Sequence, residues 1–341
     1  MFKTIINAWK IADLRKKMLF TALIVFIFRL GAALPVPFVN ISGGLISDQN
    51  ANNFMTYLSM MTGDAFNYGT LFAMSITPYI NASIIIELLT VAIPALERLA
   101  KEGEEGRKKI STITRYSSVV LALMQSTAYY FYIRSQNYLS LDADGNKFTG
   151  FFAVLQAITI IFCYTAGASL IMWLGEQINE KGIGNGISII LFAGIVSRMP
   201  TTLYSLYSYM DKGGAYYALA PIAFVSLILM IGFIVWMDNA ERRIPVQYAK
   251  RVVGRKMYGG QSTHIPIKVN MCGVLPIIFA SSILSLPPTI QMFVTVKEGG
   301  FWAGFFKIFE TTHWAYGIMY FVLIIFLSLI HISEPTRRRG I

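Results

Sequence analysis

SITPYINASIIIELL, residues 75–89, is an apolar run that carries Pro78, Asn81 and the carboxylate of Glu87. The stretch before it, FMTYLSMMTGDAFNYGTLFAM (54–74), is apolar in composition but interrupted by Gly63, Asp64 and Asn67. Backbone N–H and C=O groups in hydrocarbon must be paired, so a spanning segment is helical unless protein or water satisfies it. Residues 54–74 are too polar for a lipid-facing helix and too apolar for an ordinary loop. They read as a re-entrant half-helix tucked among other helices. A new helix then starts at Thr77-Pro78, with Thr77 as N-cap and Pro78 at the first helical position, where its missing N–H does no harm. From Tyr79 to Pro94 the run is continuous and mostly apolar.

Irregular backbone at membrane depth survives where it is buried in protein or lines a cavity. Asn81 and Glu87 agree, because polar groups inside a membrane usually face the interior. The plainer reading is a Pro-interrupted helix packed in a bundle. Two other spans share the fault. GNGISIILFAGIVSRMP (184–200) is short and ends at Arg198 and Pro200, and NMCGVLPIIFASSILSLPP (270–288) carries Pro276, Ser281-Ser282 and Pro287-Pro288. Three interrupted spans favour a channel or transporter over a receptor or an anchor.

The remaining chain sets these spans in a membrane. Of 341 residues, 55% are hydrophobic and 14% charged, with a mean hydropathy of +0.55; a soluble domain carries about a quarter charged residues. Runs of about 20 apolar residues suffice to cross hydrocarbon, and spans read at 18–38, 78–96, 116–133, 151–173, 186–207, 216–237, 270–293 and 314–330. Lys and Arg fall on alternate faces, 19 against 6, with the N-terminus and the 97–115 and 238–269 loops on the richer side. The positive-inside rule makes those faces cytoplasmic. MFKTIINAWKIADLRKK (1–17) is amphipathic and basic without a cleavage site, so it reads as a retained interfacial helix. Cys163 and Cys272 both lie in apolar spans and are expected to remain thiols.

Charged candidates in the spans or at their ends are few, among them Arg29 and Glu87, with Glu176 near one helix end and Asp238 at another. They form neither a proton relay nor a ring of carboxylates. The interrupted spans instead offer branched aliphatics at helical spacing, Ile80 and Ile84, then Ile187 and Leu191, with Ile278 in the third. Such residues would make a narrow apolar constriction, or they would be ordinary packing; spacing leaves both open. GIGNGIS (182–188) lacks the preceding strand and the Lys-Ser/Thr of a phosphate loop and reads as a tight helix connection. His264, His313 and His331 have no metal spacing. Segment 241–269 alternates apolar residues around a basic tip and reads as a hairpin-like cytosolic projection, its charges serving topology or phosphate contact.

ITPYINASIII (76–86), EEGRKKISTITRY (104–116), MWLGEQINEKGIGNGISIILFAGIV (172–196), ERRIPVQYAKR (241–251) and QSTHIPIKVNMCGVLPIIFASS (261–282) together resemble the SecY family of protein-conducting channels, in register over about residues 1–328. The resemblance implies an all-α membrane bundle with an inverted pseudo-repeat: an N-terminal half at 18–210, part of a C-terminal half at 211–328, and a plug at about 56–74. It implies a pore ring at Ile80, Ile84, Ile187, Leu191 and Ile278, and a lateral gate with Ser83, Glu87 and Gln125 opposite Ser281 and Ser282. Where the family commonly has a neutral amide this chain has Glu87, either protonated at rest or paired across the gate. Docking of the ribosome or the SecA ATPase is implied for the hairpin, through Arg242, Arg243, Lys250, Arg251, Arg255 and Lys256. SecE and SecG subunits, signal sequences, nascent polypeptides and membrane lipids complete the implied partners. No enzymatic step and no cofactor are expected.

Family members have ten spans. From about Ser328 the text departs, and 329–341 reads as a tail foreign to the family, with the last two spans absent. The family function is therefore expected of the whole protein and not of this chain by itself. Two other classes remain possible. A secondary transporter would need a compact polar site, so substituting Glu87 would abolish small-solute uptake; an insertase without a through-pore would not export a secreted polypeptide.

Overall fold

The computed structural model describes residues 9–41, 43–45, 59, 61–140, 148–211, 214, 216–246, 251–253, 256–258, 263–270, 273, 275–291, 300–309 and 313–338. In chain order these form α1 (Ala12–Ala33), α2 (Thr77–Ala92), α3 (Pro94–Lys101), α4 (Glu104–Ser135), α5 (Phe151–Lys181), α6 (Gly186–Ser197), α7 (Met199–Asp211) and α8 (Tyr216–Asp238). The strands β1 (Glu241–Val246), β2 (Arg251–Val253), β3 (Lys256–Tyr258) and β4 (Thr263–Lys268) follow, then α9 (Leu275–Gln291), α10 (Phe301–Ile308) and α11 (Trp314–Arg338).

A helix lies over each of the eight stretches read as spans. Among the described residues, three are long and apolar enough to cross a membrane unaided: Phe151–Lys181, the run Gly186–Asp211 and Tyr216–Asp238. The bent pair Thr77–Thr90 and Pro94–Lys101 makes a fourth. Charges interrupt two of the others: Arg15, Lys16, Lys17 and Arg29 sit in α1, and Glu104 to Arg115 fill the first third of α4.

The chain divides into two compact units, Met1–Pro200 with Ser282–Met319 and Thr201–Ser281 with Tyr320–Ile341. In the first, α4 packs along α2 and α5, α6 packs on α5, and α1 touches α5 and α6. Thr114, Ser118, Ala122 and Ser126 make a buried stripe of small residues, one per turn of α4, which permits close helix approach. Ser118 Oγ meets Met172 Sδ of α5 at 3.1 Å, and Arg115 Nε pairs with Glu176 Oε1 at 2.6 Å. The run expected to continue from Tyr79 to Pro94 is helical only as far as Ala92. Proline disfavours helical geometry in the residue before it; Ile93 is extended (φ −106°, ψ 113°) and the chain turns by 98°.

In the second unit, α8 exposes nearly every side chain, and Ala220 is the buried one among them. A continuous face of Ile, Leu, Val and Phe on that scale is foreign to water-soluble surfaces and suits lipid. β1 and β4 pair antiparallel from Glu241↔Lys268 to Val246↔Thr263. β2 and β3 pair nearer the tip, Arg251↔Tyr258 to Val253↔Lys256. The alternation at 241–269 thus corresponds to a long two-ladder hairpin.

Candidate functional site

The re-entrant stretch decides what the first unit does. Its described part is helical at residues 59, 61 and 62; residues 63–76 follow as turns, with an isolated bridge from Thr70 to Pro35. Residues 54–58 and 60 lie outside the described residues. Gly63 and Asp64 take consecutive left-handed conformations (φ 65° and 71°), and Gly69 and Ser75 add two more (60° and 48°). No right-handed helix survives such a series.

Buried irregular backbone needs partners, and the neighbouring elements supply them. The Asp64 N–H donates to Ser59 O at 3.0 Å, and the Phe66 N–H to Thr62 Oγ1 at 3.2 Å. The Tyr129 hydroxyl of α4 donates to Phe66 O, and the Tyr164 hydroxyl of α5 to Gly69 O at 2.9 Å. The Leu71 N–H donates to Leu34 O at 2.9 Å. Apolar packing does the rest. Phe72 stacks on Phe28 with ring centroids 5.9 Å apart, and Phe66 lies 4.6 Å from Tyr129. Gly31 and Gly167 allow the approach: a Cβ on Gly31 would lie 2.1 Å from the Phe72 ring, and one on Gly167 2.2 Å from Leu71 O.

Charged groups hold the outer turn. Asp64 Oδ2 lies 2.9 Å from Arg198 Nε at the end of α6, and Asp64 Oδ1 accepts from Ser59 Oγ at 2.9 Å. Arg29 Nη1 of α1 donates to Gly63 O at 3.3 Å. Gly63 sits so close to α6 that a Cβ there would meet Ser197 Oγ at 2.7 Å and Gly194 O at 2.8 Å.

Helix α2 follows directly. Thr77 is its first residue and not its cap: the cap position is Ile76, with no side-chain hydrogen bond. Buried Ile76 anchors the start by packing, and its carbonyl accepts from Tyr79 N–H and Ile80 N–H at 3.1 Å each. Ile80 and Ile84 are buried, while Ile187 and Leu191 of α6 are half-buried. Ile76, Ile187 and Ile190 gather around Gly175 of α5, 3.6–3.8 Å from the position its Cβ would occupy. Ile278 falls in α9, its side chain outside the described residues. Ser83 and Gln125 are half-buried on the packed pair α2 and α4, and Glu87 is exposed. Ser281 and Ser282 are half-buried on α9, with Ser281 Oγ donating to Ile277 O at 2.7 Å.

The GIGNGIS turn is tight for a visible reason. Asn185 caps α6, accepting from Ile187 N–H at 3.0 Å and Ser188 N–H at 3.3 Å. Asn179 Oδ1 takes the Gly186 N–H at 2.7 Å, and a Cβ on Gly186 would strike Gly175 O at 2.0 Å. On the hairpin, Arg242 and Arg243 are exposed on β1, Arg251 and Lys256 lie in β2 and β3, and Lys250 and Arg255 fall outside the described residues. Among the described residues no three His, Cys, Asp or Glu converge as metal ligands. Cys163 is a free thiol; Cys272 is not described.

Four residues of this seat are not legible as a group in the sequence: Tyr129, Tyr164, Asp64 and Arg198. Asp64 and Arg198 stand out singly, as interruptions of apolar runs. Their pairing joins positions 134 apart in sequence, and no local pattern encodes it.

Comparison with known proteins matches this architecture. The SecY family model matches residues 70–335. A protein translocase subunit SecY of Streptomyces scabiei is 40% identical over 338 residues, covering 98% of this chain and 77% of its own. A solved structure of a protein-conducting channel superposes with a TM-score of 0.55 at 19% identity, over 82% of this chain and 58% of that one. Sec61 from the canine ribosome-channel complex gives 0.53 at 18%, again over 82% and 58%. The buried, non-helical segment, the bent second helix and the apolar outer faces are thus features of a multi-pass membrane protein with a channel-type fold, and by the extent of both matches the chain belongs to the SecY family of protein translocase subunits.

Proposed function

We propose that this chain forms the pore of a bacterial translocon in the cytoplasmic membrane, passing unfolded polypeptides through a greasy constriction and releasing apolar segments sideways into lipid. It is a channel subunit, in a family of non-enzymes. One observation carries the reading: residues 61–76 occupy the interior of the first unit as irregular backbone whose polar groups are met by α1, α4, α5 and α6. A stopper that must leave and return is better hinged, at Gly63 and Asp64, on turns that stay in a prepared seat.

In this reading Ile80, Ile84, Ile187, Leu191 and Ile278 line the constriction, which excludes water yet holds nothing tightly. Ser83, Glu87 and Gln125 flank one side of the exit seam, with Ser281 and Ser282 on the other. An apolar signal segment shifts the resting equilibrium only by its preference for the open form. The N-terminus and the 241–269 hairpin face the cytoplasm, as the distribution of Lys and Arg implies. There Arg242, Arg243, Lys250, Arg251, Arg255 and Lys256 meet the ribosome or SecA, and SecE and SecG accompany the chain in the membrane. The canine relative was solved in complex with a ribosome, which supports that assignment.

Export of a signal-bearing secretory reporter, in cells whose only translocon subunit of this kind is this protein, tests the proposal. Appearance of the reporter outside the membrane is expected. Membrane insertion of apolar proteins without any export would instead make the chain an insertase, and loss of small-solute uptake on Glu87→Ala would make it a transporter.

A further inference from the structure

The re-entrant segment is held in two unlike ways. Residues 65–76 are built in: Ala65, Phe66, Phe72, Ala73, Met74 and Ile76 are buried, and Tyr129, Tyr164 and Leu34 hold the backbone at Phe66, Gly69 and Leu71. Withdrawing this part would open the core between α4 and α5. The turn before it is clipped by polar contacts. Asp64 pairs with Arg198, Ser59 Oγ bonds to Asp64 and lies 3.5 Å from Arg198 Nη1, and Arg29 reaches Gly63 O. Gly63 and Asp64, both left-handed, stand at the junction of the two parts.

We propose that Asp64 and Arg198 are positioning residues that form a clasp: displacement of the stopper breaks this pair while residues 65–76 stay seated. The inference rests on the channel reading above. Arg198 is the C-cap of α6, and α7 begins at the next residue, so two helices fix its backbone and its guanidinium stays near the seat when Asp64 departs. Both side chains are about a quarter exposed (27% and 23%), so the pair is screened less than a surface one, yet it remains within reach of solvent and of a competing chain.

Two measurements in membranes of cells exporting through this protein test the clasp. In a background with Cys163→Ser and Cys272→Ser, a short thiol crosslinker joins Asp64→Cys to Arg198→Cys at rest. That crosslink should vanish when export is stalled by a folded cargo, whereas one between Leu34→Cys and Leu71→Cys should persist. Persistence of the first, or loss of the second, overturns the proposal. Separately, Asp64→Arg or Arg198→Asp should raise export of a reporter with a crippled signal roughly fivefold, the scale of losing one modest ion pair, at unchanged abundance and unchanged export of an intact-signal reporter. Arg198→Lys should stay near the parent, and the double exchange should restore it. Unchanged crippled-signal export in the single variants, or no restoration in the double, sinks the clasp. If the whole unaltered protein exports no intact-signal reporter, the channel reading itself fails.

Discussion

Gly31 and Gly167 each admit the re-entrant segment at a distance no Cβ would tolerate, but what they meet differs. Gly31 faces the ring of Phe72, a side chain that can shift more readily than backbone; Gly167 faces the carbonyl of Leu71, a residue whose N–H is held by Leu34 O. Gly167→Ala is therefore expected to destabilise the chain by about 1–3 kcal/mol, the usual cost of overpacking, and Gly31→Ala by clearly less. Thermal unfolding of the two purified variants in detergent orders them, and the reverse order would contradict this packing. Tyr164 offers a second measure. Its hydroxyl satisfies Gly69 O deep in the core, so Tyr164→Phe leaves a buried acceptor without its donor, a loss of about 1–3 kcal/mol in the same measurement. Crippled-signal export should not change in Tyr164→Phe, because the tyrosine holds the seated part and not the clasp.

At the scale of elements, the start of α6 depends on one side chain. Asn185 takes the N–H groups of Ile187 and Ser188, and α6 carries Ile187, Leu191 and the Arg198 cap. Asn185→Ala should lower the melting transition by an amount corresponding to about 0.5–2 kcal/mol, while Asn185→Asp, which keeps an accepting oxygen, should not. Elements of this kind are partly legible in the sequence. A helix lies over each of the eight stretches that hydropathy marks, and alternation locates the hairpin, because both patterns are local; the short α10 (Phe301–Ile308) falls outside those stretches. In the re-entrant stretch expected at 54–74, residues 59, 61 and 62 are helical, but composition does not reveal that Gly63, Asp64, Gly69 and Ser75 take left-handed geometry in turn and end the helix there. The helix start at Thr77 is correctly sited by the Thr-Pro pair but has another cause: burial of Ile76 replaces a hydroxyl cap. Pro94 ends α2 two residues early for the reason its ring dictates at the residue before it.

For the whole molecule, the site is legible where function needs a pattern and hidden where it needs a meeting. Broken spans and branched aliphatics point to the interior, but the tyrosine donors and the Asp64–Arg198 pair depend on tertiary approach between distant segments. Charge is the global feature most open to test, because 19 of the 29 Lys and Arg lie on one set of faces. The hairpin presents Arg242 and Arg243 outward from β1, in register with Ile267 and Pro266 of β4, so their removal leaves the ladder's backbone bonds intact. If this projection meets ribosomal RNA phosphates, each cation contributes a sequence-blind, salt-sensitive contact. Arg242→Ala with Arg243→Ala should then weaken ribosome binding to membranes containing the protein, and flatten the dependence of log affinity on log salt by roughly one unit for each phosphate no longer neutralised. Sedimentation of ribosomes with such membranes across a salt series reads both quantities. A weaker affinity with an unaltered slope would mean that the arginines shape the hairpin without touching phosphate, and unaltered affinity would leave their charge to membrane topology alone.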